Sequence, residues 1–241
     1  MIRQLDVLFE DNHIIAINKR CGDIVQGDKT GDRTLGDEVK EYLKNKYNKP
    51  GNVFLGVTHR IDRPTSGIVL FARTSKALTR LNEMFQEYGT IRKTYWAIVD
   101  KKPEPLNGTL EHWLVRDPKQ NKSFAYATEK KDSKKASLSY NYLNSSDRFH
   151  LLDIELHTGR HHQIRAQLAA IGLHIKGDLK YGFPRSDSDG GIHLHARKIE
   201  FIHPVNGDPV TIIAPPPNGP VWNYFIQLSE SSFHVLNIYF I

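Results

Sequence analysis

The chain has 241 residues, 39% hydrophobic and 25% charged, with a formal net charge of +6. That is enough chain for one substantial core, and the ordinary composition excludes a disordered or fibrous protein. A single cysteine, Cys21, excludes an internal disulfide and a cysteine-built zinc site, and the mild basic excess fits a nucleic-acid partner without requiring one.

The N-terminal run is broken by Asp6, Glu10 and Asp11, so it lacks the apolar core of a signal peptide, and no apolar run approaches the length of a membrane span. The expected setting is the cytoplasm, with no membrane contact. "DVLFEDNHIIAINK" reads as a hairpin around Asp11-Asn12. "GDKTGDRT" is a polar loop. Thr34 followed by Asp37 makes a capping box, and Leu35, Val39, Leu43 and Tyr47 repeat at helical spacing, predicting an amphipathic helix over 35–46.

"VFLGV" and "GIVLFA" are short apolar runs expected to be buried strands. Between them lies "THRIDRPTS", which places Asp62 between Arg60 and Arg63. Ser75 is expected to cap a helix carrying Leu78, Leu81 and Phe85 on one face. "KTYWAIV", "TLEHWLV", "ASLSYNYL" and "FHLLDIEL" read as strands, separated by polar loops. The segment from Lys119 to Lys135, with six lysines against Glu129 and Asp132, reads as a basic surface loop. Thr158-Gly159 is expected to open a helix that carries Arg160, His161, His162 and Arg165 in its first turns, places Ile164, Leu168 and Ile171 on one face, and has Gly172 as its C-cap. Strands around "IHLHARKIEFIHP" and "PVTIIA" follow, and then prolines 215–217. The last residues, "FHVLNIYFI", fit an edge strand or a tail. Strands and helices mix without strict alternation, so the class is α+β on a mixed, largely antiparallel sheet.

Three segments could carry chemistry. In "HRIDRPTSG", Pro64 fixes φ and Gly67 relaxes the backbone, so Asp62 sits in a defined turn; the plain alternative is a structural turn with exposed ion pairs, about 0–1 kcal/mol each. In "HTGRHHQIRAQLAAIG", a helix N-terminus with two arginines favours an anion. The same stretch admits a metal site on His157, His161 and His162, but neighbouring imidazoles on a helix diverge by about 100° and the stretch from His157 to Leu173 has no carboxylate. Tyr95 in "KTYWAIV" is either a core tyrosine or a site residue.

Together these segments resemble the RluA-type pseudouridine synthases. "HRIDRPTSGIVLFART" is similar to that family's His-Arg-Leu-Asp…Thr-Ser-Gly signature with Ile61 for leucine, and "KTYWAIV", "TGRHHQIRAQLAAIG", "GDLKYG" and "LHARKIEFIHP" follow in the family's order over roughly residues 6 to 226. Arg20 stands where relatives commonly have proline. The resemblance implies a bent sheet with flanking helices, one catalytic domain over residues 1–230 with a 231–241 tail, and no small RNA-binding S4 domain in front. It implies that Asp62 is the catalytic carboxylate, Arg165 its counter-ion, and Tyr95 the residue packed against the target base. His59, Arg60, Arg63, Thr65, Arg160, His162, Gln163 and Leu194 are the implied substrate-binding set. The implied reaction isomerises uridine in structured RNA, tRNA or rRNA or both, with no metal or other cofactor. A monomer without an obligate protein partner is the expected state. Two rivals are an RNA-binding module without catalysis and a histidine-metal hydrolase.

Overall fold

The computed structural model describes residues 4–27, 31–87 and 89–228. The expected C-terminal tail, and part of the loop before Thr34, lie outside the described residues. The elements are β1 (Val7–Glu10), β2 (Ile14–Lys19), α1 (Leu35–Lys46), β3 (Gly56–Val57), β4 (Ser66–Ala72), α2 (Ser75–Gln86), β5 (Ile91–Val99) and β6 (Asn107–Asp117). There follow β7 (Lys122–Tyr126), β8 (Lys134–Ser145), β9 (His150–Leu156), α3 (Gln163–Ala170), a 3-10 turn (Leu179–Tyr181), β10 (Leu194–Ile202) and β11 (Pro209–Ile213). Residues 220–228 are helical.

One sheet runs through the chain in the order β1-β2-β4-β10-β5-β9-β8-β6-β7, with β3 on β4 and β11 on β10. Its pairs are antiparallel except for β4 with β10. The fold is α+β, as its sequence pattern indicates. The parallel pair is short, His195 with Ser66 and Ala196 with Gly67. Gly67 has φ +110°, and a β-carbon there would collide with the Ala196 backbone. Only glycine fits such an approach, so the "TSG" ending of the motif fixes where β4 meets the middle of the sheet.

Both faces of the inner strands are covered, which is why β4 is buried at every position and reads as a continuous apolar run. Ile15, Ile17, Val69 and Phe71 pack under α1, while Ile14, Ile68 and Leu70 pack under α2. Leu152 and Ile154 of β9 meet Ile164 and Leu168 of α3 in a third cluster.

Several expectations hold in detail. The Thr34–Asp37 capping box is present, and α1 spans Leu35–Lys46. Others shift. The hairpin turn is longer than two residues, because Asp11 Oδ1 accepts from the amides of both His13 and Ile14. Thr74, not Ser75, caps α2, through Ala77 N. The "VFLGV" strand shrinks to Gly56–Val57, with Phe54 left exposed. The basic "loop" from Lys119 to Lys135 contains β7: Asp117 Oδ1 accepts from the amides of Lys119 and Gln120, Asn121 takes φ +45°, and the chain turns back so that Phe124 faces Val115. Charge density hid a hairpin.

Candidate active site

The turn from Thr58 to Thr65 is tied down before it meets any substrate. Lys19, at the end of β2, is 1% exposed and donates to the carbonyls of Arg20 (3.0 Å), Asp23 (2.9 Å) and Arg63 (3.1 Å). A buried ammonium is tolerable only when its protons are taken up in this way. Thr65 N closes the turn on Asp62 O, and Gly22 N reaches Arg63 O. His59 accepts at Nε2 from Leu70 N and stacks on Phe85, with ring centroids 4.6 Å apart. Burial, helped by the charge of Lys93, pushes its pKa down to about 3, so it stays a neutral acceptor.

Asp62 projects from this turn to Arg165, whose Nη1 donates to its Oδ2 at 2.9 Å. The guanidinium is clamped from behind. Its Nε and Nη2 donate to the two oxygens of Asp178 at 2.7 and 2.8 Å, and Asp178 is 1% exposed. Burial opposes the charge on Arg165, but its bonds to Asp178 and then Asp62 raise its pKa well above the ordinary value. Arg165 also lies against the Tyr181 ring, 5.0 Å from its centroid. A planar fork fixed on one edge can present its remaining nitrogen in one direction only. That direction is Asp62.

The second wall departs from expectation. Helix α3 starts at Gln163, and His162 is its N-cap residue in a left-handed conformation with φ +53°. Arg160, His161 and His162 therefore precede the helix. The histidines do not diverge; their rings stack, with centroids 3.8 Å apart. Gln163 organises this loop. Its Oε1 accepts from Thr158 Oγ1 (2.7 Å) and Arg160 N (3.0 Å), and its Nε2 donates to Ser137 O (3.0 Å). His162 Nδ1 lies 3.0 Å from the Tyr181 hydroxyl, and its Nε2 is 3.6 Å from Asp62 Oδ2. Burial first, and the Arg165 charge second, push its pKa down to about 2, so a neutral ring faces the carboxylate. His161 and His157 are bonded to Ser123 and Ser139 hydroxyls. Among the described residues, no group of three or more His, Cys, Asp or Glu side chains has metal-binding geometry.

These walls enclose a cavity of about 510 Å³. Ten of the eleven expected residues line it: His59, Arg60, Asp62, Thr65 and Tyr95 on one side, Arg160, His162, Gln163, Arg165 and Leu194 on the other. Tyr95 lies in β5 between Ile154 and Ala196, and burial, together with the Asp62 charge, raises its pKa so that the phenol keeps its proton. The eleventh, Arg63, does not line the cavity; it points out to Gly22 O (3.1 Å) and Asp32 (3.4 Å). The wall residues Phe85, Lys93, Arg116 and His161 were not among the expected substrate contacts, and neither were the supporting Asp178 and Tyr181. The last two sit in "GDLKYG", a stretch with no hydrophobic period or charge pattern to mark it.

The pattern of the RNA pseudouridylate synthase family matches residues 13–170. This chain belongs to that family, whose members isomerise uridine in RNA. It is 34% identical over 218 residues to an uncharacterized RNA pseudouridine synthase, YlyB, of Bacillus subtilis, covering 88% of this chain and 69% of that one. It is 32% identical over 216 residues to another, slr1629, of Synechocystis, covering 88% and 66%. It is 30% identical over 223 residues to ribosomal large subunit pseudouridine synthase D of Zymomonas mobilis, covering 88% and 69%. The chain thus spans about two thirds of the length of these relatives. Among solved structures, human RNA pseudouridylate synthase domain containing 4 superposes with a TM-score of 0.73 at 23% identity, covering 88% of this chain and 89% of that one. Among the described residues, no helix is long and apolar enough to cross a membrane.

Proposed function

We propose that this chain isomerises uridines of structured RNA, tRNA or rRNA or both, with Asp62 as the catalytic carboxylate. The reading is carried by one observation: Asp62 lines a 510 Å³ cavity while its Oδ2 is held at 2.9 Å by a guanidinium that Asp178 immobilises. In this reading Arg165 keeps the carboxylate ionised and aimed without consuming both of its oxygens. Asp62 engages the flipped nucleoside, the N-glycosidic bond breaks, the uracil turns, and the ring rejoins through carbon 5, which gives up its proton while the freed N1 gains one. Composition and oxidation state are unchanged, so the chemistry calls for no redox partner and no cofactor.

A recessed cavity cannot receive a base still stacked in a helix; flipping costs a few kcal/mol, and contacts at the rim must offset it. Arg60 and Arg160 stand at that rim, both exposed. Tyr95 and Leu194 supply the apolar surfaces for the base. The raised Tyr95 pKa suits a hydroxyl that donates a proton, not a phenolate that removes one. We further propose that residues 1–230 act as one catalytic unit and that the protein works as a monomer without an obligate partner. The single cysteine supports a cytoplasmic location. The test is single-turnover pseudouridine formation on a transcript the wild type modifies. Asp62→Asn should fold, bind the RNA and form no detectable product; wild-type rates in that variant refute the assignment.

A further inference from the structure

The cavity holds more positive charge than the reaction at Asp62 requires. Arg60, Lys93, Arg116, Arg160 and Arg165 all line it, against Asp62 as the lining carboxylate. Most of this charge is either engaged or exposed. Arg165 is paired on both sides. Arg160 Nε donates to Lys135 O (3.1 Å), Arg60 Nη1 lies 3.4 Å from Gln26 Oε1, and Arg116 is exposed. Lys93 is different. It is recessed in β5, and its ammonium has no hydrogen bond or ion pair among the described residues. Its Nζ lies 5.9 Å from the centroid of the Phe85 ring and close to Gly159, where a β-carbon would lie 3.8 Å from it.

A half-buried ammonium in a cavity wall, without the carbonyls that satisfy Lys19, is partly stripped of water and open to an anionic ligand. Its address says which ligand. Lys93 and Tyr95 are two apart on one strand, so they point to the same face, about 6.6 Å apart along the strand. Both lie in the wall of the cavity, and Leu156, opposite Lys93 in β9, lines it too. If the base stacks on Tyr95 beside Asp62, the group one nucleotide half-length away is the anionic phosphodiester of that same nucleotide.

We infer that Lys93 is a phosphate-binding residue, taking the phosphodiester of the flipped uridine inside the cavity; this rests on the reading of the cavity as a uridine site. Its contribution is to hold the extruded backbone, so it acts in affinity more than in the chemical step. The neutral His59 and the stacked Phe85 beside it leave that charge uncompensated until RNA arrives.

The experiment compares wild type, Lys93→Met, Lys93→Arg and the Asp62→Asn control. Affinity and its salt dependence are measured with a labelled uridine-containing stem-loop transcript, and turnover with total RNA from cells lacking the gene. Lys93→Met should weaken binding about tenfold and flatten the slope of log K against log salt by about 0.7–0.9, the value for one lost phosphate contact. The rate at saturating RNA should fall less than threefold, and Lys93→Arg should restore the slope. Cooperative thermal unfolding checks that both variants are folded. An unchanged slope with a collapsed saturating rate makes Lys93 part of the chemistry and overturns the inference; so does an unchanged slope with unchanged rates. A flattened slope in an enzyme pair that makes no pseudouridine at all leaves the phosphate contact standing and removes the uridine-isomerase reading instead.

Discussion

The two walls of the cavity are built by different means. The turn bearing Asp62 is set by its own sequence: Pro64 restricts φ, Gly67 alone can approach Ala196, and the buried run of β4 follows at once. The loop bearing His161 and His162 is set by residues far from it. Gln163 reaches Ser137, His161 reaches Ser123, and His162 reaches Tyr181. Local punctuation shapes the first wall, and a few anchors, chiefly the Lys19 ammonium on the Arg63 carbonyl, hold it. Distant hydrogen bonds make the second wall dependent on the β6–β8 arm and on the 3-10 turn. The walls are joined at Asp62, which Arg165 holds at 2.9 Å and His162 approaches to 3.6 Å.

Breaking that junction should have the largest effect. Arg165→Met leaves Asp178 buried without its partner, and stability should fall by about 3–5 kcal/mol in denaturant titration. Arg165→Lys keeps the charge but not the fork, so it should fold better than Arg165→Met yet remain slow at saturating RNA. If Arg165→Lys is as active as wild type, the geometric clamp is not what aims Asp62.

This contrast also explains what could be read in advance. The Thr34–Asp37 box, the apolar period of α1 and the all-buried β4 are local signals, and they specify their elements closely. Helix α3 starts five residues past Thr158: Arg160 and His161 are compatible with a helix, but the Gln163 hydrogen bonds and the positive φ of His162 hold the chain out of it until Gln163. The pairing of Asp62 with Arg165, 103 residues apart, was accessible only through family resemblance. Asp178 lies in the family segment "GDLKYG", but neither it nor Lys19 is marked as buried, since a buried carboxylate or ammonium looks like a surface one until its partners are placed. Arg63 shows the converse: a cation next to the key residue, in a motif, that turns away from the cavity.

A smaller effect is expected on the second wall. Gln163→Ala removes one donor and one acceptor that serve three buried or half-buried groups, costing about 1–3 kcal/mol. The His161–His162 loop should loosen, so RNA should be needed at higher concentration while the saturating rate falls less. Equal losses in both would place Gln163 in the chemistry and weaken the distinction between the walls.

The smallest effect separates the two arginines that flank Asp62. Arg63→Ala removes an exposed pair, within about 0–1 kcal/mol, and should leave the salt dependence of RNA binding unchanged. Arg60→Ala should flatten it, because Arg60 lies at the cavity rim. Flattening by both variants would return Arg63 to the RNA-binding surface.

The central claim is that Asp62 makes pseudouridine. It is tested most directly by mapping pseudouridine in tRNA and rRNA from cells in which the chromosomal gene is replaced by the Asp62→Asn allele. The account predicts one or more positions modified with the wild-type gene and unmodified with the Asp62→Asn allele, at equal protein levels. Identical maps from the two strains would contradict it.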